Sequence, residues 1–561
     1  MRSGLHGRLM ALLFLTVQGA FGSAFAVNEL GARAQGMGGA FTSIADDPSA
    51  LFFNPAGIAF LKGTNMQMDS LVVVGLFRFF PSETPPGTTV PAKGYSGAIH
   101  QPFIPIASMY FTRQLSDRFS VGFGMFTPFG LAANWTNFND SDPANTKYVG
   151  RFAGTRAQLQ SYWFQPTVAY KISENQAISI AFDYVHTHLF LEQSFLNPYD
   201  KPDDFGRRLA KDVFPGIDPD AAYRSFARLL PEGRLRAAAT ANSPAFSAGY
   251  LYRDRKNSGW GLGVSFRSAV ANHLNGKAAF AFTGGGALTP FLPTNRTLAI
   301  EFPTQAIKGL LTTPATYNVG VSNSKIFGGT LAVDGRLQDF HRFKDLPLNF
   351  SVTQDSKGND IGTPPERRLK FNFRNSYQLL TGYERPVHAD FGPPMMRGLM
   401  KDVTLRGGFV FDYSPVPDAS VGPLFPDANR VSFTMGMTKT RGNMEFTAFY
   451  QHMHFLDRVT NVDENRNIFT NGAYISTAHL AGLGLRWQPH KKDAPAVAPQ
   501  AASVPKAASV PKAAARDAAR DAARDAARDA ARDAARDSAR DAARDAARDA
   551  ARDTTKDTPK K

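Results

Sequence analysis

The connections between the strand-length segments of this chain alternate between short and long, and this rhythm restricts the fold more than any other feature. Between about Met66 and Trp487 there are about fourteen such segments. Short polar turns lie at residues 116–118, 173–176, 253–258, 322–325 and 440–443. Long connections lie near residues 78–103, 128–160, 193–241, 271–314, 344–367, 414–428 and 456–473. Antiparallel outer-membrane barrels have short periplasmic turns and long extracellular loops, so the rhythm predicts an all-β transmembrane barrel.

Alternation within single segments predicts a sheet with one apolar and one polar face. In residues 331–338 the odd positions are apolar or small, and the later even positions are polar. In residues 369–374, Lys370 and Arg374 should share a face with Asn372, because successive strand side chains point to opposite sides. A soluble sandwich would bury the apolar face, whereas a barrel turns it to lipid. The connections and the N-terminus favour the barrel.

The N-terminus has the features of a secretory signal peptide. A basic start precedes an apolar run at residues 9–17, and Ala24-Phe25-Ala26 is an A-x-A cleavage site. The apolar run is too short to cross a bilayer as a helix. We therefore expect residues 1–26 to be removed and the mature protein to reach the outer membrane of a Gram-negative cell. An uncleaved N-terminal core helix is the alternative.

Composition argues against several kinds of site. The chain has no cysteine, so it has no disulfide framework or thiolate ligand. Its net charge is +15, but no basic cluster is interleaved with aromatic residues, which disfavours nucleic-acid binding. Basic loops suit anionic ligands, outer-membrane lipids or lipopolysaccharide phosphates instead. No cofactor is expected.

Residues 27–63 are rich in small residues and predict a compact plug. Asp46-Asp47-Pro48 suits the start of a short helix, with acidic residues and proline at its N-terminal end. Asn54-Pro55 favours a turn. Small residues allow backbone segments to pack closely, which suits a plug in a narrow lumen better than a free linker.

Several motifs, taken in order, carry a family resemblance. They are residues 43–50 and 54–57 in the plug, 126–131 and 148–152 after it, and 414–418, 426–430 and 472–487 toward the C-terminus. Together they resemble the FadL/TodX family of outer-membrane transporters for long-chain fatty acids and other hydrophobic compounds. The resemblance spans residues 27–487. It implies a monomeric fourteen-strand barrel (64–487) with an N-terminal hatch (27–63), and it implies ligand capture in a loop groove, binding in an internal pocket and hatch-gated lateral release.

The resemblance also implies a gate. In the hatch its motif falls on Asn54, Pro55, Ala56 and Gly57. The family's third strand carries a kink, and here that strand is about 119–127. Gly122 and Gly124 are the candidates for the bend, because glycine permits a bend or bulge within a strand.

Two long loops contain apolar residues suited to the capture groove. Part of the third loop has apolar residues at helical spacing, which form one stripe, and the fourth loop is rich in phenylalanine around three glycines. Burying a hydrocarbon chain there contributes about 0.8 kcal/mol per CH₂. Packing between neighbouring loops explains the stripe equally well. The candidate groove residues are Tyr223, Phe226, Leu229, Leu230, Phe280, Phe282 and Phe291.

A carboxylate head group would need a cation inside the barrel. Arg336, Lys370 and Arg374 are the candidates, because their strand parity predicts that they face the lumen and arginine can pair with a carboxylate through two bonds. Pairing with lumenal acids such as Asp334 is the alternative role for each. Long-chain fatty acids are therefore the favoured substrate, and aromatic hydrocarbons are the alternative.

An enzymatic function has little support. The pairs His452/His454 and His186/His188 each share a strand face, but no third metal ligand accompanies them. An outer-membrane lipid hydrolase is the remaining alternative class, although no Ser/His pattern points to one. We predict that the chain is not an enzyme.

The C-terminal tail differs from the family pattern. The last strand ends at Trp487, in the place of the terminal aromatic residue that the barrel-assembly machinery recognises in the family. Residues 488–513 form an Ala/Pro/Lys linker, and residues 514–561 consist mainly of an Ala-Ala-Arg-Asp repeat, either helical or disordered. An even number of strands predicts that this tail is periplasmic.

Overall fold

A computed structural model describes residues 24–82, 96–99, 104–137, 149–195, 216–226, 233–282, 304–351, 366–387, 401–461 and 470–488. In these residues, twenty strand segments form a single sheet. Six of the barrel strands consist of two consecutive segments, so the sheet contains fourteen strands, all antiparallel to their neighbours. The predicted barrel and its strand number are confirmed.

The strands follow the chain order around the barrel. Their bounds are β1 Thr64–Pro81; β2 Gly97–Ile99 and Ile104–Gln114; β3 Phe119–Asn137; β4 Arg156–Ser173; β5 Gln176–Phe195; β6 Gly233–Arg253; β7 Trp260–Arg267 and Val270–Phe282; β8 Gln305–Thr313 and Thr316–Ile326; β9 Gly329–Gln338 and Asp345–Phe350; β10 Glu366–Lys370 and Ser376–Pro386; β11 Val403–Tyr413; β12 Arg430–Arg441; β13 Met444–Phe455 and Arg458–Thr460; and β14 Gly472–Trp487. The strand β14 pairs with β1 from Met66↔Trp487 to Pro81↔Gly472, which closes the sheet.

The two faces of the wall differ as the alternation predicts. Large apolar side chains such as Ile180, Phe182 and Met435 are 57–65% exposed on the outer face, where a barrel meets lipid. In residues 331–338, Asp334 and Arg336 are buried on the lumenal face, so the predicted parity is confirmed there. Among the described residues, no helix has the length and apolarity to cross a membrane.

Two local predictions are wrong. The segment 369–374 is not a regular strand, because β10 is interrupted after Lys370 and Asn372 has a positive φ of 48°. The N–H groups of Phe371 and Asn372 instead bond to the carbonyl of Lys344. The turn predicted at residues 322–325 lies within β8, and the chain reverses between Ile326 and Gly329.

The hatch fills the lumen. It contains two short α-helices, α1 (Ala32–Gly36) and α2 (Ala50–Phe53), and a 3₁₀ helix at Pro55–Phe60. Its backbone bonds to carboxylates of the wall: Asp334 accepts from the N–H groups of Phe41 and Thr42 at 2.8 and 2.7 Å. In the described loops there are a third helix, α3 (Pro219–Phe226), and 3₁₀ turns at Val149–Phe152, Phe340–Arg342 and Asp418–Ser420.

Candidate ligand-binding site

Asn54 connects the hatch to the barrel wall. Its side chain is fully buried, and its Nδ2 donates to the carbonyls of Thr42 in the hatch and Tyr250 in β6, both at 2.9 Å. Its Oδ1 accepts from the N–H of Ala56 at 3.2 Å and caps the 3₁₀ helix that begins at Pro55. Proline suits this first helical position because its missing N–H would have had no partner.

Gly57 allows two parts of the hatch to touch. A Cβ atom at this position would lie 2.0 Å from the carbonyl oxygen of Ala45. Any larger residue would therefore push the 3₁₀ helix away from the hatch segment that contains Ala45 and Asp46. The four residues predicted as the gate, Asn54 to Gly57, thus lie at a tightly packed point of the hatch, and their gating role stays a prediction.

A network of ion pairs connects Asp46 in the hatch to the barrel wall. Arg33 in α1 pairs with Asp46 at 2.6 Å and with Glu384 in β10 at 2.8 Å, and Arg255 in the β6–β7 turn pairs with Asp46 at 2.6 Å. Burial alone would raise the pKa of Asp46, but the guanidinium groups of Arg33 and Arg255 lower this pKa well below its ordinary value. Asp46 therefore stays charged, and it pairs both with Arg33 of the hatch and with Arg255 of the barrel.

The bend in β3 lies beyond the predicted glycines. Pairing with β4 is regular through Gly122 and Gly124, and the register shifts between Phe126 and Phe129. The prediction for the two glycines is wrong because they serve another purpose: a Cβ at Gly122 would lie 2.7 Å from the Leu51 side chain of the hatch. Gly122 makes room for the hatch, whereas a Cβ at Gly124 would lie 2.9 Å from the Phe126 ring of the same strand. The extra residue of a β-bulge bends the strand further on.

The bend separates β3 from β2 in the described residues. Pairing between these strands extends to Met109↔Met125, and the next recorded pair is Ile99↔Trp135. Along this interval, β3 bonds instead to residues 25–27, where the predicted leader meets the hatch. The N–H of Gly130 donates to the carbonyl of Phe25, and the N–H of Val27 donates to the carbonyl of Pro128, both at 2.8 Å. A piece of hatch backbone thus takes the place of part of a neighbouring strand.

Phe25 occupies a cage of aromatic rings. The side chain is fully buried, and its ring centroid lies 5.2–6.0 Å from those of four other phenylalanines. Such edge-to-face and tilted ring pairs stabilise beyond their buried area. We call this set the aromatic cage: Phe129 from the β3 bend, Phe340 and Phe343 from the break in β9, and Phe425 from the β11–β12 loop.

A vestibule leads to the cage from the side of the long loops. It is a cavity of about 200 Å³ whose lining includes Phe152, Leu424, Phe371 and Phe425. Phe371 lies 5.0 Å from Phe425 and is stacked on Phe343 at 5.1 Å. The vestibule and the aromatic cage therefore share a phenylalanine wall.

A small cavity on the other side of Phe129 contains two arginines. Its lining includes Arg267 of β7, Arg336 of β9 and the bend residues Pro128 and Phe129. Arg336 donates to Asn318 at 2.7 Å and to Gln378 at 2.9 Å, both neutral acceptors. We call this the arginine cavity.

Arg267 is a buried cation packed against aromatic rings. Its guanidinium carbon lies 4.7–5.4 Å from the ring centroids of Phe52, Phe126 and Trp163. One amino group donates to the Phe52 carbonyl at 3.1 Å, while its buried Nε has no acceptor among the described residues. A ligand carboxylate would supply such an acceptor.

Only one of the three predicted head-group residues lies in the lumen. Arg336 is buried there, as predicted. Lys370 is exposed at the end of its strand segment and lines the vestibule. Arg374 is exposed and lies over the ring of Tyr413, at 5.5 Å from its centroid. The predicted lumenal position is wrong for both. Leu369 pairs with the buried Leu346, so Lys370, which pairs with Asp345, lies on the opposite face. Arg374 follows the interruption of β10, which ends the simple alternation.

The predicted capture groove is described only in part. Tyr223 and Phe226 belong to α3, while Leu229, Leu230 and Phe291 lie outside the described residues. Phe280 and Phe282 belong to strand β7 rather than to a loop, and Phe280 packs against Phe350 at 6.2 Å. The groove itself stays a prediction.

The histidine pairs do not form a metal centre in the described part of the chain, where no group of three or more candidate ligands is found. His452 instead packs against His479 at 5.0 Å, and His186 lies 2.7 Å from the side-chain oxygen of Asn242. These contacts join neighbouring strands.

Sequence reasoning missed Arg267 and most of the aromatic cage. Arg267 ends a strand segment with clear alternation, and its parity with Ser265 could have placed it in the lumen. The cage residues come from breaks in β9 and from a loop, where periodicity gives no signal. They come together only in the folded barrel.

Comparison with known proteins adds independent findings. Residues 13–486 match the family model described as "Outer membrane protein transport protein (OMPP1/FadL/TodX)". The chain is 24% identical over 434 residues to an outer membrane protein of Neisseria meningitidis serogroup B, a match covering 76% of this chain and 84% of that protein.

Solved structures show a similar fold. A FadL homologue of Pseudomonas aeruginosa has a TM-score of 0.62 at 17% identity, covering 83% of this chain and all of that one. The toluene transporter TodX of Pseudomonas putida has a TM-score of 0.57 at 15% identity, covering 82% and 99%. The toluene transporter TbuX of Ralstonia pickettii has a TM-score of 0.55 at 14% identity, covering 82% and 98%.

Proposed function

Because this chain belongs to the OMPP1/FadL/TodX family of outer-membrane proteins that transport hydrophobic compounds, we propose that its own substrates are long-chain fatty acids. One observation carries this choice. The aromatic cage is joined through Phe129 to the arginine cavity, so an apolar site adjoins a cationic one. A fatty acid has the same two parts.

The apolar part of the path suits an alkyl chain. Each CH₂ group that leaves water in the vestibule or the aromatic cage contributes about 0.8 kcal/mol. If the leader ends at Ala26, as the sequence predicts, the Phe25 ring leaves the cage with it, and the chain of a bound ligand fits in its place. Cleavage there also removes the bond from Gly130 to the Phe25 carbonyl, and movement of Val27 would break the remaining bond to the edge of β3.

The cationic part suits a carboxylate. Arg267 has a buried Nε without an acceptor in the described residues, and Arg336 bonds to neutral amide oxygens. The arginine cavity has a volume of about 10 Å³, so a carboxylate that accepts charge-assisted hydrogen bonds from both guanidinium groups enters only when neighbouring side chains move apart. With the head group held there, the ligand can leave laterally into the membrane at the bend of β3, once residues 25–27 no longer bond to that strand.

Aromatic hydrocarbons are the second candidate. TodX and TbuX, which share the fold, are toluene transporters, and a cage of phenylalanine rings suits a small aromatic ligand. Such a substrate needs no cation, so the two candidates predict different roles for the buried arginines.

An uptake panel separates them. The protein is expressed in a Gram-negative host lacking its own uptake proteins, and entry of a labelled long-chain fatty acid and of toluene is compared for wild type, Arg336→Gln and Phe343→Ala. We expect Phe343→Ala to reduce fatty-acid uptake, and Arg336→Gln to reduce it about tenfold, the effect of losing about 1.4 kcal/mol of charge-assisted bonding.

Arg374→Gln is the matched control, because Arg374 lies outside the lumen, and each variant is compared at equal surface abundance. Toluene uptake that is unaffected by Arg336→Gln, without fatty-acid uptake, would favour the second candidate. No stimulated uptake of either ligand would contradict the proposal. Release of lysophospholipid by the purified protein would support the lipid-hydrolase alternative.

A further inference from the structure

The outer face of the barrel wall changes from apolar to polar toward the long loops. Along β7 the exposed residues are apolar at first, as at Trp260 and Val264, and then become His273, Asn275 and Lys277. The long connections lie at this end of the strands, and the loop rhythm predicts that this end is extracellular. The polar stretch therefore lies where the wall leaves the hydrocarbon core of the outer leaflet.

The polar residues form a continuous row across five strands. Each is paired with the next in the order His188 of β5, Thr240 of β6, Asn275 of β7, Lys308 of β8 and Asn349 of β9. The row lies on the outer face, because the alternating residues beside it, such as Leu274 and Ile307, are buried in the interior. We call this row, together with Lys277, the lysine patch.

The two lysines of the patch are diagonal neighbours. Lys277 is paired with Ala306, which lies two residues from Lys308 on the adjacent strand. Diagonal positions of a sheet are about 7–8 Å apart, within reach of long side chains. Both side chains are exposed, and neither ammonium has a hydrogen-bond or ion-pair partner among the described residues. Their charges repel each other unless an anion lies between them.

The described wall does not supply this anion. The described residues that lie opposite or diagonal to the two lysines on neighbouring strands include no aspartate or glutamate. Glu192 of β5 already pairs with Arg236 at 2.6 Å and with Arg234 at 3.9 Å. Glu366 begins β10 and is two strands away from Lys308, about 10 Å across the sheet. An anion from outside the protein would balance the lysines.

The outer leaflet of a Gram-negative outer membrane consists mainly of lipopolysaccharide, whose phosphate groups lie above the hydrocarbon core. We propose that the lysine patch binds a phosphate group of lipopolysaccharide between the ammonium groups of Lys277 and Lys308. Asn275 and Thr240 add hydrogen-bond donors beside them. The acyl chains of the same lipid pack below, against Phe182 and Phe246, which are paired across β5 and β6 and are 57% and 50% exposed.

The site lies on the outside of the wall, so it is separate from the ligand path in the lumen. Its occupant can therefore be tested without a transport assay. Binding of fluorescently labelled rough-type lipopolysaccharide to the purified, heat-modifiable protein in detergent is compared for wild type and Lys277→Gln/Lys308→Gln. A lysine near an anionic lipid surface strengthens binding about fivefold, so the double variant should bind about 25-fold more weakly.

The phosphate groups are tested with the same lipopolysaccharide after chemical dephosphorylation. Its binding to the wild type should fall to the level of the double variant, and the difference between the two proteins should disappear. Raising the salt concentration from about 0.1 M to 1 M should also reduce this difference, because the screening length falls from about 10 Å to 3 Å. Binding to the wild type that is unchanged by dephosphorylation would overturn the proposal.

Two variants serve as controls. Lys277→Arg/Lys308→Arg keeps both charges and should bind like the wild type. Lys256→Gln/Lys325→Gln removes the same charge at the other end of the barrel, where Lys325 donates to the Asn257 carbonyl in the β6–β7 turn, and it should also bind like the wild type. Equal binding by the wild type and Lys277→Gln/Lys308→Gln would overturn the proposal. An equal loss in Lys256→Gln/Lys325→Gln would overturn it too, since net charge would then explain the binding.

Discussion

At the scale of single residues, Asn54 has the most specific role in holding the hatch. Asn54→Ala removes two donated bonds and one accepted bond, and it leaves the carbonyls of Thr42 and Tyr250 without this donor. An unsatisfied buried polar group costs about 1–3 kcal/mol. We therefore expect amide hydrogen exchange in residues 42–57 to accelerate at least about tenfold, and uptake to change at equal surface abundance.

The control for this prediction is Asn323→Ala. Asn323 lies near the end of β8, and its side chain donates to the Ser258 carbonyl in the β6–β7 turn and accepts from the Lys325 N–H within β8. Hatch exchange and uptake should match the wild type in this variant. Unaltered exchange and uptake in Asn54→Ala would contradict the gating role of the residue.

Asp46 gives a prediction about pH. Its pKa is lowered in the folded state, so the ion pairs with Arg33 and Arg255 stabilise the hatch above the unfolded-state pKa, which is about 4. They are lost only as the pH falls through the still lower folded-state pKa. The part of the hatch protection that depends on Asp46, measured as the difference in exchange between wild type and Asp46→Asn, should therefore stay constant between about pH 8 and pH 5.

Asp46→Asn should instead loosen the hatch at every pH in that range, because Arg33 and Arg255 then lose a charged partner. The expected loss is about 1–3 kcal/mol in the opening free energy. A difference between wild type and Asp46→Asn that shrinks between pH 8 and pH 5 would contradict a charged Asp46 in the folded hatch.

Strand parity predicted side-chain positions well where the strand is regular. It placed Arg336 in the lumen because residues 331–338 are paired without interruption. It failed for Lys370 because the apolar residues of that strand segment face the interior, as the pairing of Leu369 with the buried Leu346 shows. It failed for Arg374 because the chain has left the sheet by then, and the positive φ of Asn372 has no clear signature in the sequence. Parity depends on unbroken pairing, and the interrupted strands contribute much of the aromatic cage.

At the scale of elements, the bend of β3 is the feature with the clearest mechanical test. Three steps along β3, from Phe126 to Phe129, match two along β4, from Trp163 to Ser161, so β3 carries one extra residue. Deletion of Thr127 should restore the register and let β3 approach β2. We expect uptake to be lost while a heat-modifiable barrel still forms.

Thr127→Ala is the length-matched control and should keep the bulge and the uptake. If the deletion variant transports ligand at the wild-type rate, the bend is not part of the route.

The position of this bend could not be derived from glycine alone. Glycine in a strand marks either a bend or a close neighbour, and at Gly122 the neighbour is Leu51 of the hatch. The short helices of the hatch are a similar case, because the packing of small residues against the wall decides their ends. By contrast, the loop rhythm predicted the barrel and its strand number, since both follow from the chain's need to pair every strand.

At the scale of the whole molecule, the barrel is complete without the tail. Strand β14 is paired along its length with β1 and β13, up to Trp487. We therefore predict that truncation after Trp487 leaves heat-modifiable folding and uptake largely intact. Assembly is compared by pulse-chase, and we expect the truncated chain, with a terminal aromatic residue, to assemble at least as fast as the full chain. Failure to form the barrel would give the tail a structural role.

The compartment of the tail can be tested separately. Fourteen strands return the chain to the side on which the barrel began, so residues 488–561 should be periplasmic. Protease added to intact cells should spare an epitope placed after Lys561 and should cleave it after the outer membrane is permeabilised. Cleavage on intact cells would contradict this orientation.

The contacts of the hatch also restrict the order in which the molecule can be made. The hatch leaves the ribosome and crosses the inner membrane first, yet its backbone bonds to Asp334 in β9 and to Thr434 in β12, which arrive much later. Pairing of β1 with β14 then closes the barrel wall around the hatch. The hatch must therefore stay small and weakly structured until the last strands are in place. The barrel then closes around a segment that was synthesised before it.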